Sequence, residues 1–196
     1  LEAPEADLVL KEGAFEVVGT DRRVTLLEIA RIARESPPVE GLPEDVDAEL
    51  TVEGAPSAYP NGVHYCELEV DPATGVVALD RYVSVNDFGT IVNPMLTRGQ
   101  IQGGIVQGIG QALYENMVYD DEGQLLSGSF MDYTLPRADG VPAIQVEFIE
   151  VPATTNPLGA KGCGEAGATG APPTVMNALL DALAPLGVTH LDMPAT

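Results

Sequence analysis

Residues 159–175, GAKGCGEAGATGAPPTV, enclose a single acidic residue, Glu165, in a run of glycine and other small residues. Within this stretch the letters GCGEAG match G-x-G-x-x-G, the pattern of turns that bind dinucleotides. The stretch therefore allows two interpretations. It is either a nucleotide-binding turn or a backbone that folds closely around a functional carboxylate.

The predicted neighbouring elements disfavour a nucleotide-binding turn. In such a turn a strand runs directly into the first glycine, and a helix begins within the motif. Here alternating apolar residues predict a strand over 143–151, which two prolines separate from the glycines. A Pro-Pro pair predicts that the next helix begins near residue 172. Lys161 is not followed by Ser or Thr, so the P-loop pattern fails as well.

Glu165 is therefore a candidate general base. Burial among small residues would raise the pKa of its carboxyl, whereas a nearby helix N-terminus would lower it. The sequence leaves both effects open, together with the simpler alternative of a solvated loop acid. Cys163 has no histidine near it in sequence, which favours a small packed residue over a nucleophile.

Residues 99–113, GQIQGGIVQGIGQAL, form the second informative stretch. Isoleucine or leucine recurs at every fourth position, which predicts a helix. Five glycines lie in the same stretch, and each costs about 1 kcal/mol relative to alanine. Close approach of another backbone or of a ligand is the usual reason for such glycines. Gln100, whose amide can donate and accept, is the best placed ligand contact.

The whole chain predicts an α+β fold with mixed sheets and packed helices. Residues 1–35 form a strand and helix segment, which we expect to continue from a missing upstream domain. Residues 36–60 are rich in Pro, Glu and Asp and predict an exposed connection. Residues 61–196 form the main α+β domain.

Two local patterns support these assignments. Thr25 and Glu28 have the spacing of a capping box, which opens a helix that runs to about Arg34. Alternating residues on both sides of the turn 71–75 predict a β-hairpin that ends near Asn86.

Composition and charge limit the possible partners. The net charge is −21, with 30 acids and 9 bases, and this acidity makes nucleic acid an improbable partner. No apolar run approaches the length of a membrane span. The two cysteines are far apart, and the two histidines lack metal-ligand spacing, so we predict no protein-based metal site and a reducing, cytoplasmic location.

Several ordered segments together resemble one family. They are NDFGTIVNP (86–94), the glycine-rich stretch 99–113, GAKGCGEAG (159–167) with PPTVMNA (172–178), and LGVTHLDMP (186–194). This set is similar to the C-terminal part of the large molybdenum-binding subunit of the xanthine dehydrogenase/aldehyde oxidase family. Within that family, the aerobic carbon monoxide dehydrogenase large-subunit type is the most similar.

The resemblance implies a function and a set of site residues. Glu165 matches the family's active-site glutamate, Gln100 matches a glutamine that bonds the pterin, and Lys161 and Gly164 match flanking loop positions. The implied cofactor is molybdenum with molybdopterin cytosine dinucleotide. The implied reaction oxidises carbon monoxide, an aldehyde or a heterocycle with oxygen from water. FAD and 2Fe-2S clusters on partner subunits or domains would take the electrons.

A family large subunit is several times longer than this chain. We therefore expect that an upstream molybdenum-binding domain is missing and that the chain alone is inactive. Cys163 does not match the copper-binding cysteine of carbon monoxide enzymes. The rival hypothesis is a non-catalytic binding or assembly module of the same fold, and intact Glu165 and Gln100 argue against it.

Overall fold

The computed structural model describes residues 1–35, 49–51, 53–54 and 56–196. Backbone contacts divide the chain into two units, Leu1–Glu53 and Gly54–Thr196. The predicted connection falls largely outside the described residues, because 36–48, 52 and 55 are not among them.

The first unit is a small sheet followed by one helix. Strands β1 (Leu8–Lys11), β2 (Ala14–Val17) and β3 (Arg23–Thr25) pair antiparallel in that order. Helix α1 (Leu26–Glu35) follows directly. The predicted capping box is confirmed. The amide and hydroxyl of Thr25 both donate to Glu28 Oε2, at 2.9 and 2.8 Å, and the Glu28 amide donates back to the Thr25 hydroxyl at 3.2 Å.

The second unit is built on a mixed sheet of strands in the order β4-β5-β6. Strands β4 (Asn61–Val70) and β5 (Val77–Asp87) form the predicted hairpin, which the Asp71 amide closes by donating to Val76 O at 2.9 Å. Strand β6 (Ile144–Phe148) joins β5 in parallel. The sheet therefore contains both pairings, as the predicted fold class requires.

Two helices cover this sheet. Helix α2 (Pro94–Leu113) begins with Asn93 as its cap, whose Oδ1 accepts from the Leu96 amide at 3.1 Å. Its predicted apolar stripe is confirmed, since Ile101, Ile105 and Ile109 are fully buried. Helix α3 (Ala166–Leu183) packs against α2 and β4. Among the helices that the structure describes, none has the length and apolar character to cross a membrane.

The contact between α2 and α3 explains two of the predicted helical glycines. A Cβ at Gly104 would lie 2.9 Å from the Ala168 amide nitrogen, and one at Gly108 would lie 2.6 Å from the Ala171 Cβ. Glycine at these positions lets the helix backbones meet. Gly110 similarly makes room for the Glu115 carboxylate and Pro136, whereas Gly99 and Gly103 have no described atom within 4 Å of such a Cβ.

The predicted start of α3 near residue 172 was wrong. The helix begins at Ala166 with Glu165 at its cap position, and the Thr169 amide donates to Glu165 O at 2.9 Å. Pro172 and Pro173 lie inside the helix. A proline in a helix interior costs about 3 kcal/mol. Here Pro172 is buried against Gly108, so packing against α2 offsets that cost.

This earlier start removes one argument against a nucleotide-binding turn, because a helix does begin within the glycine motif. The other argument stands. Strand β6 ends at Phe148 and does not run into Gly162.

The face of β5 beneath the helices is polar. Tyr82, Ser84 and Asn86 alternate along the strand and are at most 2% exposed. Buried polar groups need hydrogen-bond partners. The Asn86 amide donates to Ser84 Oγ at 2.9 Å. This row of polar residues leads along β5 toward the loop that carries Glu165.

Candidate functional site

The loop 159–165 is fastened to the segment that follows β5. The Lys161 amide donates to Phe88 O at 2.8 Å, and the Thr90 amide donates to Gly159 O at 3.0 Å. Gly89 and Gly159 both have positive φ, at 61° and 68°. A side chain at either position would be strained. Glycine at position 159 therefore allows the two backbone segments to cross closely.

An ion pair strengthens the same crossing. Lys161 Nζ lies 2.5 Å from Asp87 Oδ2, and the two side chains are only 10% and 13% exposed. Asp87 Oδ1 also accepts from the amides of Gly89 and Val151, at 2.9 and 3.1 Å. The Lys161 ammonium, followed by the Gly89 amide, holds the pKa of Asp87 below its ordinary value. Lys161 thus holds its loop to Asp87 at the end of β5. Its part in cofactor binding remains a prediction.

Gln100 and Gly164 are brought together, although 64 positions separate them. The Gln100 side-chain amide donates to Gly164 O at 2.8 Å. This bond joins the first turns of α2 to the loop immediately before Glu165. Two of the predicted site residues therefore support the position of the third.

Glu165 is exposed and lines a cavity of about 460 Å³. The cavity is bounded by the loop, the first turns of α3, the start of β4 and the end of β5, and its walls include Gly162, Gly164 and Thr169. No side-chain hydrogen bond from Glu165 to the described residues caps α3. Its carboxylate is thus available to a molecule in the cavity, at a helix terminus that suits negative charge.

A second cavity of about 510 Å³ shares Gly164 with the first. Gln100, Lys161 and Cys163 all border it, together with Asn93 at the cap of α2. The four predicted site residues therefore lie around two neighbouring cavities, with Glu165 at the first, Gln100 and Lys161 at the second, and Gly164 at both.

Sequence reasoning missed His64 and Asn86, which line the Glu165 cavity. The absence of metal-ligand spacing makes His64 an ordinary residue by sequence alone. In the structure its Nδ1 lies 2.9 Å from the buried hydroxyl of Tyr82. Burial lowers the pKa of His64, and the Asn86 side chain partly opposes this effect. The polar alternation of Ser84 and Asn86 in β5 was the signal that could have revealed this cavity wall.

Metal-binding clusters are not found in the part of the chain that the structure describes. No three side chains of His, Cys, Asp or Glu there are grouped closely enough to hold a metal ion. Cys66 and Cys163 are free thiols, and burial raises the pKa of Cys66 to about 11.

Comparison with known proteins gives a family and several relatives. Residues 1–142 match the model of the molybdopterin cofactor-binding domain. The nicotine 6-hydroxylase large subunit of Paenarthrobacter nicotinovorans is 38% identical over 199 residues, covering 100% of this chain and 24% of that subunit. The carbon monoxide dehydrogenase large chain of Hydrogenophaga pseudoflava is 38% identical over 197 residues, with the same shares covered.

A solved structure gives the same picture of the fold. Quinoline 2-oxidoreductase from Pseudomonas putida 86 superposes with a TM-score of 0.79 at 36% identity, over 96% of this chain and 24% of that one. The chain thus spans about a quarter of the length of the proteins it matches.

Proposed function

Since the chain belongs to the molybdopterin cofactor-binding domain family, we propose that it is the C-terminal portion of a molybdenum hydroxylase large subunit. In this proposal the whole enzyme oxidises carbon monoxide, an aldehyde or a heterocycle with oxygen from water. Two relatives are named for nicotine and for carbon monoxide, and the solved structure is named for quinoline, which supports carbon monoxide and a heterocycle within this range.

The observation that carries the proposal is the joint placement of Gln100, Gly164 and Glu165. The Gln100–Gly164 bond holds the loop at the head of α3, and this sets the Glu165 carboxylate in a cavity wall. A solvated loop acid needs no such support from a second helix.

The open space around the two cavities supports a molybdopterin cofactor, which we propose in its cytosine dinucleotide form. Gly162 and Gly164 line the Glu165 cavity, and a Cβ at either would meet no described atom within 4 Å. Side chains there would fill space that a ligand can occupy, whereas glycine leaves the backbone amides accessible. Gln100, Gly164 and the loop held by Lys161 would contact the group.

When bound, this cofactor would supply the redox centre that accepts two electrons from the substrate. The chain itself supplies the base. The Glu165 carboxylate takes up the proton from the water-derived oxygen as that oxygen attacks the substrate carbon, which is general base catalysis. The loop contacts of Gln100 and Lys161 keep that carboxylate in position during the proton transfer.

The proposal assigns the remaining tasks to other parts of the enzyme. The rest of the large subunit would complete the cofactor site and the substrate path, so the chain alone would be inactive. FAD and 2Fe-2S clusters on partner subunits or domains would remove the electrons. The names of the relatives, a large subunit and a large chain, support such an assembly. Two free thiols fit the reducing cytoplasm that we propose as its location.

Glu165→Gln in the assembled full-length enzyme tests the proposal. The amide keeps the size of the side chain but cannot accept the proton. We expect unchanged molybdenum content by elemental analysis and a turnover about 10²–10⁴-fold lower, the usual worth of a general base. Carbon monoxide, an aldehyde and quinoline serve as trial substrates.

Glu122→Gln is the matched control, because Glu122 is an exposed acid in a turn remote in sequence from the loop. It should retain full turnover. If Glu165→Gln also retains full turnover, Glu165 is not the base. Absence of molybdenum from the assembled wild-type enzyme would favour the alternative, a non-catalytic binding or assembly module of the same fold.

A further inference from the structure

We infer that His64 is a positioning residue, which fixes the first turns of α3 against the sheet and thereby sets the place of Glu165. The inference rests on the proposed role of Glu165 as the base. It concerns a residue on β4, distant in sequence from the glycine loop, that shares the Glu165 cavity.

The first observation is a close contact between His64 and α3. A Cβ at Gly170 would lie 2.5 Å from both Cε1 and Nδ1 of His64. The imidazole therefore occupies the space that any other side chain at position 170 would need. Gly170 follows Glu165 by little more than one helical turn, so the ring contacts the helix very near its start.

The second observation is that the ring is itself held in place. Its Nδ1 lies 2.9 Å from the Tyr82 hydroxyl, and the two rings meet edge to face with centroids 5.8 Å apart. Tyr82 is fully buried on β5, the central strand of the sheet. Asn86 stands beside the ring and is anchored by its bond to Ser84. Because the sheet holds the ring in place, the ring can fix the position of α3 relative to the sheet.

The third observation connects this contact to Glu165. The Glu165 carbonyl accepts the first bond of α3, from the Thr169 amide at 2.9 Å. The Thr174 hydroxyl donates to Gly170 O at 2.7 Å on the following turn. Glu165 is therefore bonded to Thr169, and the next residue, Gly170, is the one that the imidazole contacts. If His64 is removed, the first turns of α3 lose the contact that the imidazole makes at Gly170, and the carboxylate can move away from its working position.

Two single variants and their combination test the inference in the assembled full-length enzyme. We expect His64→Ala and Gly170→Ala each to lower kcat by about 10- to 100-fold, since a small misplacement of a catalytic group has an effect of this size. KM should change much less, because neither variant removes a group that we propose to hold the cofactor. The double variant should be no worse than His64→Ala alone, since loss of the imidazole leaves room for the new methyl group at position 170.

A second readout does not depend on turnover. Hydrogen exchange followed by mass spectrometry should show faster exchange at the first bonded amides of α3, residues 169–171, in His64→Ala, with 176–183 unchanged. His190→Ala is the matched control. His190 is exposed and pairs with Asp192, so its removal should alter neither exchange nor kcat.

The outcomes separate this inference from the proposed function. Normal turnover in Glu165→Gln would contradict the assignment of Glu165 as the general base. The exchange data would still decide whether His64 holds α3 in place. Loss of turnover in Glu165→Gln together with normal kcat and normal exchange in His64→Ala overturns the inference alone. Losses in the double variant that equal the product of the two single losses also overturn it. If His64→Ala does not assemble, wild-type activity in Gly170→Ala has the same consequence.

Discussion

The ion pair of Asp87 and Lys161 holds the loop that carries Glu165 in place, although neither side chain takes part in the proposed chemistry. Lys161 lies in the loop of Glu165, and Asp87 lies at the end of β5. The carboxylate also accepts two backbone amides, so it joins three segments of chain at one point. An acid placed in this way stabilises the fold only while it is ionised. The loop should therefore depend on pH through Asp87.

The depressed pKa of Asp87 gives that dependence a sign. A carboxyl whose pKa is lower in the folded than in the unfolded chain contributes stability above its unfolded pKa, about 4, and loses it as the pH falls through the folded value. We expect Asp87→Asn to lower the free energy of unfolding at pH 7. The difference from wild type should shrink as the pH falls below about 4.

Urea unfolding followed by circular dichroism at pH 3 and pH 7 measures this difference. Other acids also titrate over the range, so only the comparison with wild type reports on Asp87. Asp192→Asn, at an exposed site, should unfold like wild type at both pH values. A constant difference between Asp87→Asn and wild type would contradict the assignment.

At the scale of elements, the crossing of α2 and α3 places Glu165 relative to Gln100. Gly167 lies at this crossing, and a Cβ there would come within 2.8 Å of the Ile105 amide nitrogen and close to Ile101 O. These are backbone atoms of α2, which cannot rotate away as a side chain can. We expect Gly167→Ala to cost about 1–3 kcal/mol of stability through overpacking.

Gly103→Ala is the matched control for that prediction. Gly103 lies in α2 but is exposed, and a methyl group added there would have no described atom within 4 Å. Alanine at this position should raise stability by up to about 1 kcal/mol through its better helix propensity. Equal effects of the two substitutions in urea unfolding would show that propensity, and not the crossing, governs these glycines.

The sequence predicted most elements because their signals are local. The capping box at Thr25 and the stripe of Ile101, Ile105 and Ile109 each depend on residues within a few turns, and both were confirmed. The start of α3 depends on Pro172 packing against Gly108 of another helix. Local rules place a proline pair at the start of a helix. They could not predict a proline pair inside a helix, because that depends on tertiary packing that offsets its cost.

The cavity wall was missed for a related reason. In β5, Val83 and Val85 alternate with Ser84 and Asn86, and the usual expectation puts valines in the core. The structure buries the polar residues instead. Their partners are Ser84 for Asn86 within the strand and His64 for Tyr82 across the hairpin. Such partners are known only once the strand register is known, and the site geometry therefore needed the structure.

At the scale of the whole molecule, the dominant feature is the net charge of −21 on 196 residues. The chain has 30 acidic and only nine basic residues, so most carboxylates have no cation to pair with. Charge far from zero keeps a protein soluble but destabilises the folded state through self-repulsion. Salt screens that repulsion, because the Debye length falls from about 30 Å at 0.01 M to about 3 Å at 1 M.

We therefore expect the chain to become more stable as salt is added at pH 7. Between about 0.01 and 0.5 M sodium chloride the melting temperature should rise by about 2–4 °C, which corresponds to about 1 kcal/mol for a chain of this size. Differential scanning calorimetry measures the shift.

Tetramethylammonium chloride at equal ionic strength should give the same rise, because screening depends on ionic strength and not on the identity of the cation. The Lys161–Asp87 pair works in the opposite direction, but its two side chains are largely shielded from solvent and should be screened little. A fall in melting temperature with added salt would mean that attractive pairs of this kind outweigh the repulsion among the remaining acids.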